Sequence, residues 1–298
     1  MGRTLINRKG FLKGLAAGVA VASTRDALAA ASAGGDGAAR ISFLGTSHGS
    51  VTPLRFSSCT LLQYGGKNYV IDAADGAVSR LMQTGVKAPD LDAVFITHPH
   101  SDHFGGLPML LVQHGFQNLS YRANVKVKKP VEVLLPGPEL EQTIRAIHDL
   151  AHFGKLQDCQ HLKAYRAGVI FDDGNVKVTA YGNDHMGRRA DGTQFAHSLL
   201  IELSNGRRIY FSGDVNKDFD LPLGPFDKGR VDLLVCELVH YPIAKAVERL
   251  KGRDIAKICF QHYGDGWEAP GWQERFAAFA LQLGIPSERV TDLDVRYV

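Results

Sequence analysis

The segment Thr97-His98-Pro99-His100-Ser101-Asp102-His103, directly after the apolar run 91–96, constrains this chain more than any other feature. In an extended segment alternate side chains point the same way, so His98 and His100 face one side. A turn after them brings Asp102 and His103 to the same mouth. Imidazole and carboxylate are the ligands that suit zinc and similar divalent ions. This cluster holds more ligands than the three that a single catalytic zinc takes from protein. The fold must therefore end a strand at an open edge, where residues from elsewhere can complete the set.

His185, Asp214 and His262 meet that demand. Each lies at or just past the end of an apolar strand, at 176–181, 208–211 and 258–260. Asp214 follows Gly213, which lets the backbone turn closely, and a carboxylate has two oxygens with which to bridge two cations. With these ligands added, two metal ions become the natural count. Asp72 ends the Val70-Ile71 strand; it can accept the second N–H of a metal-bound imidazole or merely form the turn before Ala73 and Ala74. Glu237 can orient a histidine or be a plain strand-end carboxylate. His240, His197 and His48 are the candidates for giving a proton to a leaving group; in a structural role they would satisfy backbone at strand ends or sit in a loop. Tyr263 and Trp267 either line the pocket or pack in the core. His148 and His152 have i,i+4 helical spacing, but no glutamate lies between them and no third ligand is at hand, so they are read as surface residues.

Strands are expected at 41–44, 59–63, 68–71, 91–96, 131–135, 169–171, 176–181, 197–203, 208–211, 231–236, 258–260 and 290–298. Helices are expected at 76–83, 104–114, 138–152, 244–251 and 271–283. Gly65-Gly66, Asp173-Gly174 and Asn205-Gly206 mark hairpins. Strand-rich pieces with single helices interposed, in two halves of similar content, favour two sheets sandwiched between helices. No short repeat or internal boundary is visible, so 40–298 is expected to form one α/β domain.

Within the 298 residues, 45% hydrophobic and 22% charged residues are ordinary for a folded soluble protein. The net charge of +3 belongs to the first 29 residues, where Arg3, Arg8, Lys9, Lys13 and Arg25 face only Asp26. The remainder is close to neutral. A polyanion-binding domain keeps a basic excess of its own, so nucleic acid is not an expected partner. Lys126, Lys128 and Lys129 are read as a solvated edge or loop.

Residues 1–29 read as an export signal. Asn7-Arg8-Lys9-Gly10-Phe11-Leu12-Lys13 resembles the twin-arginine motif, with Lys9 in the second arginine's place. Residues 14–23 are apolar, and Ala27-Leu28-Ala29 supplies the small residues that a signal peptidase needs, with Ala31-Ser32-Ala33 as a second option. The apolar stretch is too short to span a bilayer of about 30 Å, so no membrane anchor is expected. A periplasmic or secreted location is. Residues 30–39 form a small-residue linker. Cys59, Cys159, Cys236 and Cys259 show no paired spacing, and Cys236 and Cys259 lie in runs that look like buried strands.

The His-x-His-x-Asp-His motif and the ligands after it resemble the metallo-β-lactamase superfamily of hydrolases, from about Arg40 onward. The resemblance implies a four-layer αβ/βα sandwich with two metal ions at the sheet edge. His98, His100 and His185 would hold one ion, Asp102, His103 and His262 the other, and Asp214 would bridge them. An aspartate at 214 sets the chain apart from true β-lactamases. It makes the chain more similar to the ribonuclease Z, phosphodiesterase, lactonase and glyoxalase II branches. Phe43-Leu44-Gly45-Thr46, Arg55-Phe56-Ser57-Ser58, Phe104-Gly105-Gly106-Leu107-Pro108 and Pro136-Gly137-Pro138 are similar to ribonuclease Z-like phosphodiesterases. The chain departs from that branch twice. The stretch from Gly137 to Val169 has no obvious room for a long tRNA-clamping arm. The histidine of the family's acid pair is expected well after Glu237, whereas His240 lies only three residues on.

Together these features imply hydrolysis of a small-molecule phosphodiester or similar ester, with two divalent ions. Zinc comes first, and iron or manganese is also compatible. Ions about 3.5–4 Å apart bring a shared water's pKa toward neutrality, and Asp102 or Asp214 would orient the resulting hydroxide. A lactonase or another carboxylic or sulfate ester hydrolase is the first alternative, since these differ in the pocket and not in the ligands. A non-catalytic periplasmic metal-binding protein is the second. A homo-oligomer is compatible with the sequence, which does not specify one.

Overall fold

The computed structural model describes residues 37–50, 52–118, 129–150 and 159–298. The expected leader, most of the linker, Lys126, Lys128 and His152 lie outside them. Among the described residues the strands form two sheets. The first contains β1 (Arg40–Gly45), β2 (Cys59–Tyr64), β3 (Lys67–Ala73), β4 (Ala93–Phe95), β5 (Val131–Leu135), β6 (Gln160–Ala164) and β14 (Val295–Tyr297). The second contains β7 (Gly168–Asp172), β8 (Val176–Arg188), β9 (Gln194–Leu203), β10 (Arg208–Phe211), β11 (Leu233–Glu237), β12 (Ile258–Gln261) and β13 (Ser287–Arg289). Their orders are β14-β1-β2-β3-β4-β5-β6 and β13-β12-β11-β10-β9-β8-β7.

Within each sheet a run of strands is parallel: β3 to β6 in the first and β10 to β13 in the second. Parallel neighbours finish on the same edge, so each half of the chain returns repeatedly to one rim. β8 ends there too, because it is antiparallel to β9, which is antiparallel to β10.

Strand periodicity builds the layers. On β11, Leu233 and Val235 face the core between the sheets, while Leu234 and Cys236 face outward. Both sets are buried, as helix-covered parallel strands require. Burying each such aliphatic side chain is worth about 1.5–3 kcal/mol. Outside the first sheet lie helices α1 (Ala77–Gln83), α2 (Ser101–Phe104), α3 (Leu107–Asn118) and α4 (Pro138–Leu150). Helix α5 (Gly224–Asp227), α6 (Ile243–Leu250) and α7 (Trp272–Leu283) lie outside the second. α7 buries Phe276, Phe279 and Leu283, spaced to share one helical face. The result is the expected four-layer αβ/βα sandwich. None of its helices among the described residues is long and apolar enough to cross a membrane.

Several local expectations change. β6 is an addition, since its exposed His161 and Lys163 break the apolar run that would have marked it. The expected helix 104–114 divides into α2 and α3. β8 continues past Tyr181 to Arg188, so His185 lies within the strand's irregular stretch and not beyond its end. His148 is buried, not on the surface. The cysteines are all free and buried, and burial pushes the Cys236 thiol up to about 12. Lys129 is not simply solvated; its Nζ donates to the Asp90 carbonyl and to Asp92.

Candidate metal centre

Polar side chains crowd the shared rim, and each is held by another. At the end of β3, Asp72 adopts a left-handed backbone (φ 56°). Its Oδ1 accepts from the Thr97 N–H and hydroxyl at 2.8 and 3.0 Å. Its Oδ2 lies 2.7 Å from His103 Nδ1. Asp72 thus fixes the His103 tautomer and turns Nε2 outward, toward Asp214 Oδ1 at 3.4 Å and Asp102 Oδ2 at 3.7 Å. The single turn of α2, closed by His103 N–H to the His100 carbonyl at 3.0 Å, puts Asp102 and His103 on this side.

His98, His185 and His262 are oriented the same way. His98 Nδ1 is bonded to Thr97 Oγ1 at 3.1 Å, which leaves Nε2 3.1 Å from His100 Nδ1. His185 Nδ1 donates to the Val215 carbonyl at 3.1 Å, and its Nε2 lies 3.3 Å from His100 Nδ1. Both Nε2 atoms are 3.6 Å from Asp214 Oδ2. His262, also left-handed (φ 51°), is held through Nδ1 by Ser58 Oγ at 2.9 Å. Its Nε2 stands 3.2 Å from Asp214 Oδ2 and 3.9 Å from Asp102 Oδ2.

Among the described residues, three groups of potential ligand atoms result, each within 4.8 Å: His98, His100, His185 and Asp214; Asp102, His103 and His262; and Asp214, His240 and His262. The spacing fits ions better than direct bonds. Atoms bound at about 2.0–2.1 Å to one tetrahedral ion lie roughly 3.4 Å apart. Two buried atoms, His103 Nε2 and Asp214 Oδ1, have no hydrogen-bond partner, and a cation between them would satisfy both. Imidazole with carboxylate is a donor set for zinc, iron or manganese.

The electrostatics agree. Against the cost of burial, His262, His103 and His98 hold Asp214 well below the ordinary carboxylate range. Burial, then the neighbouring His103, pushes His98 well below the usual imidazole value. His103 goes the other way: despite burial, Asp214 and Asp72 raise it well above. Around one neutral and one strongly basic imidazole, a divalent ion can replace the proton that His103 otherwise attracts.

The backbone makes room for Asp214 only through Gly213. Its φ is 56°, and a Cβ there would lie 2.8 Å from the His197 carbonyl oxygen.

His240 belongs to this site. Its Nδ1 lies 2.9 Å from Glu237 Oε1 and 3.8 Å from Asp214 Oδ2, and its ring centroid is 4.7 Å from that of His185. Glu237 also accepts from the backbone N–H groups of Val215, Val239 and His240. The three-residue separation that made this pairing look too short is spanned by the turn after β11. Burial works against His240, but the Glu237 bond and charge raise it above the ordinary imidazole value.

Other candidates are placed elsewhere. His197 lies within β9, buried, with its ring on Tyr165 and its N–H bonded to the Thr97 carbonyl; it is a backbone support and not a proton donor at the mouth. Tyr263 is fully buried, with the guanidinium of Arg55 over its ring at 4.0 Å and that of Arg289 at 4.7 Å, so it does not line a pocket. Trp267 packs on Phe276 and Phe279. His48 is half-buried at the rim, its Nδ1 accepting from the Ser50 N–H at 3.2 Å. Burial, then the nearby His262, lowers its proton affinity. Thr97, Ser58 and Asn183 are orienting residues that sequence reasoning did not single out; Asn183 accepts from the His185 N–H at 3.1 Å and donates to the Asp214 carbonyl at 3.0 Å. Thr97 opens the histidine motif, which was the available signal.

The family model described as "Anti-Pycsar protein Apyc1" matches residues 39–284. A ribonuclease Z from Agathobacter rectalis is 26% identical over 242 residues, covering 76% of this chain and 75% of that protein. The mouse (Mus musculus) zinc phosphodiesterase ELAC protein 1 is 34% identical over 96 residues, covering 32% of this chain and only 25% of its own length. Among solved structures, the metallo-β-lactamase fold protein YhfI from Bacillus subtilis superimposes with a TM-score of 0.68 at 14% identity, covering 88% of this chain and all of that one.

Proposed function

From a chain that belongs to the Anti-Pycsar protein Apyc1 family, a metallo-β-lactamase-superfamily hydrolase near the ribonuclease Z-like branch, we propose a dinuclear phosphodiesterase acting on a small phosphodiester. His98, His100 and His185 would hold one divalent ion, and Asp102, His103 and His262 the other, with Asp214 shared. The observation that carries this reading is the position of Asp214: one oxygen faces His98, His185 and His262, and the other faces His103. Paired divalent ions supply charge stabilisation and hydroxide at neutral pH. Zinc suits the donors and is named in the mouse relative.

The chain's own residues do the remaining work. Asp72, Ser58, Thr97 and the Val215 carbonyl fix four of the five imidazoles by their far nitrogens, so little reorganisation is needed when the charge of the reaction develops. His240 is the proton donor to the leaving oxygen. Its Nδ1 is engaged by Glu237, its side chain is 31% exposed, and Nε2 is left for substrate. The Glu237 carboxylate offsets the pull of nearby cations, which would otherwise strip that proton. A small substrate fits better than tRNA, since α4 and β6 take up most of the stretch from 138 to 164.

The test is elemental analysis of the purified protein, with hydrolysis of bis(p-nitrophenyl) phosphate before and after chelation. About two ions per chain and chelator-sensitive turnover are expected. Absence of stoichiometric metal overturns the proposal. Two ions without turnover of any phosphodiester overturns the substrate class and directs the search to lactones and other esters.

A further inference from the structure

We infer that Arg189 is a positioning residue for the ion assigned to His98, His100 and His185, an assignment that rests on the two-ion reading above. His185 does not lie on a regular ladder. Asn183 pairs with Ala196 and Arg188 with Gln194, so four residues of β8 oppose one of β9. The partner strand does not hold the backbone of such a bulge. Its start is secured by Asn183, which accepts from the His185 N–H at 3.1 Å and donates to the Asp214 carbonyl at 3.0 Å.

The far end is secured by Arg189. Although it adjoins an exposed hairpin tip, its side chain is only 8% exposed. Its Nε donates to both carboxylate oxygens of Glu139, at 3.0 and 3.2 Å. Nη2 donates to the Pro136 carbonyl at 2.6 Å and Nη1 to the Gln194 carbonyl. The guanidinium also lies 4.2 Å over the Phe195 ring. Pro136 and Glu139 flank the join between β5 and α4, on the sheet that supplies His98 and His100. The intervening Gly137 (φ 103°) leaves space for the guanidinium, since a Cβ there would lie 2.0 Å from Nη2.

Arg189 therefore ties the His185 bulge to the opposite sheet. His185 Nε2 reaches 3.3 Å from His100 Nδ1 across that join. Without the clamp the far end of the bulge is tied only to its own hairpin, through the Arg188–Gln194 pair and the Arg189 N–H to the Thr193 carbonyl at 2.7 Å, and one donor of the His98 group drifts relative to the opposite sheet. Asp102, His103 and His262 are held by the α2 turn, Asp72 and Ser58, and stay in place.

The test is Zn2+ titration of the metal-stripped full chain against a competing chelating dye, for wild type, Arg189→Ala, Arg189→Lys and Glu139→Gln. Arg189→Ala is expected to weaken one ion about 10- to 100-fold, the usual effect of losing an outer partner of a metal ligand, and to leave the other unchanged. Arg189→Lys gives nearly the same loss, because an ammonium cannot span the same fork of acceptors. Glu139→Gln, which keeps the arginine, shifts the same ion by less and serves if the alanine variant does not fold. The assignment is overturned if these variants bind both ions as wild type does. It is also overturned if both ions weaken together in step with the melting temperature, as a merely structural arginine predicts. A wild-type chain that binds fewer than two ions overturns the two-ion reading, and this assignment with it.

Discussion

Glu237 Oε1 sits 2.9 Å from Nδ1 of His240, three residues on, and the same buried carboxylate accepts three backbone N–H groups. The pair fixes the His240 ring, as the donor role proposed for it requires, so it is not a loose rim histidine. His240→Asn is expected to cost about 10²- to 10⁴-fold in kcat on an alkyl phosphodiester, whose leaving oxygen needs a proton. Bis(p-nitrophenyl) phosphate, whose phenolate leaves unprotonated, should be affected little. Equal losses on both substrates in steady-state assays would remove His240 from the donor role.

Asp72 holds His103 at 2.7 Å from a left-handed backbone position, φ 56°. Asparagine tolerates that backbone but replaces the charged acceptor. Asp72→Asn should fold and lose about 10- to 100-fold in affinity for the ion at Asp102, His103 and His262. Chelator-competition titration checks this, with retained circular dichroism as the control.

Gly213→Ala should destabilise the protein by about 1–3 kcal/mol, since the position combines a left-handed φ with close backbone contact. The clash is with the His197 carbonyl, 2.8 Å from the added Cβ, and a backbone atom cannot step aside. The guanidinium midpoint measures it; an unchanged midpoint would show that the turn can relax.

His197 should titrate as a stability group. Burial, then the charge of Arg189, pushes its pKa down to about 4 from the ordinary 6.5. Between those values the unfolded chain binds the proton and the folded chain does not, so stability falls as pH drops from 6.5 toward 4. His197→Gln removes at most about 1.4 kcal/mol per pH unit of that slope. Unfolding in EDTA at pH 4.5 and 7 compares the two, and turnover at neutral pH should be kept. His114, also pushed to about 4, mainly by burial, preserves part of the slope in the variant.

The sandwich was legible because strand period and helix period are local properties. Leu233 to Cys236 alternate between two buried faces, and Phe276, Phe279 and Leu283 recur on one helical face. β6 escaped because an edge strand with exposed His161 and Lys163 carries no apolar run. The His98–His103 segment announced ligand chemistry because its spacing leaves few other uses for so many donors. The later candidate ligands His185, Asp214 and His262 were legible only as polar residues near strand ends.

By itself, then, the sequence determined the residue types at the rim, the strand content and the candidate ligands, since each depends on neighbours a few positions apart. Tertiary structure decided which far nitrogen each imidazole gives up. Asp72 reaches His103 across 31 residues, and Ser58 reaches His262 across 204. It also decided that His197 and Tyr263 turn inward while His240 turns to the mouth. Those choices depend on side-chain direction at a packed interface between two sheets, which the order of residues along the chain does not display.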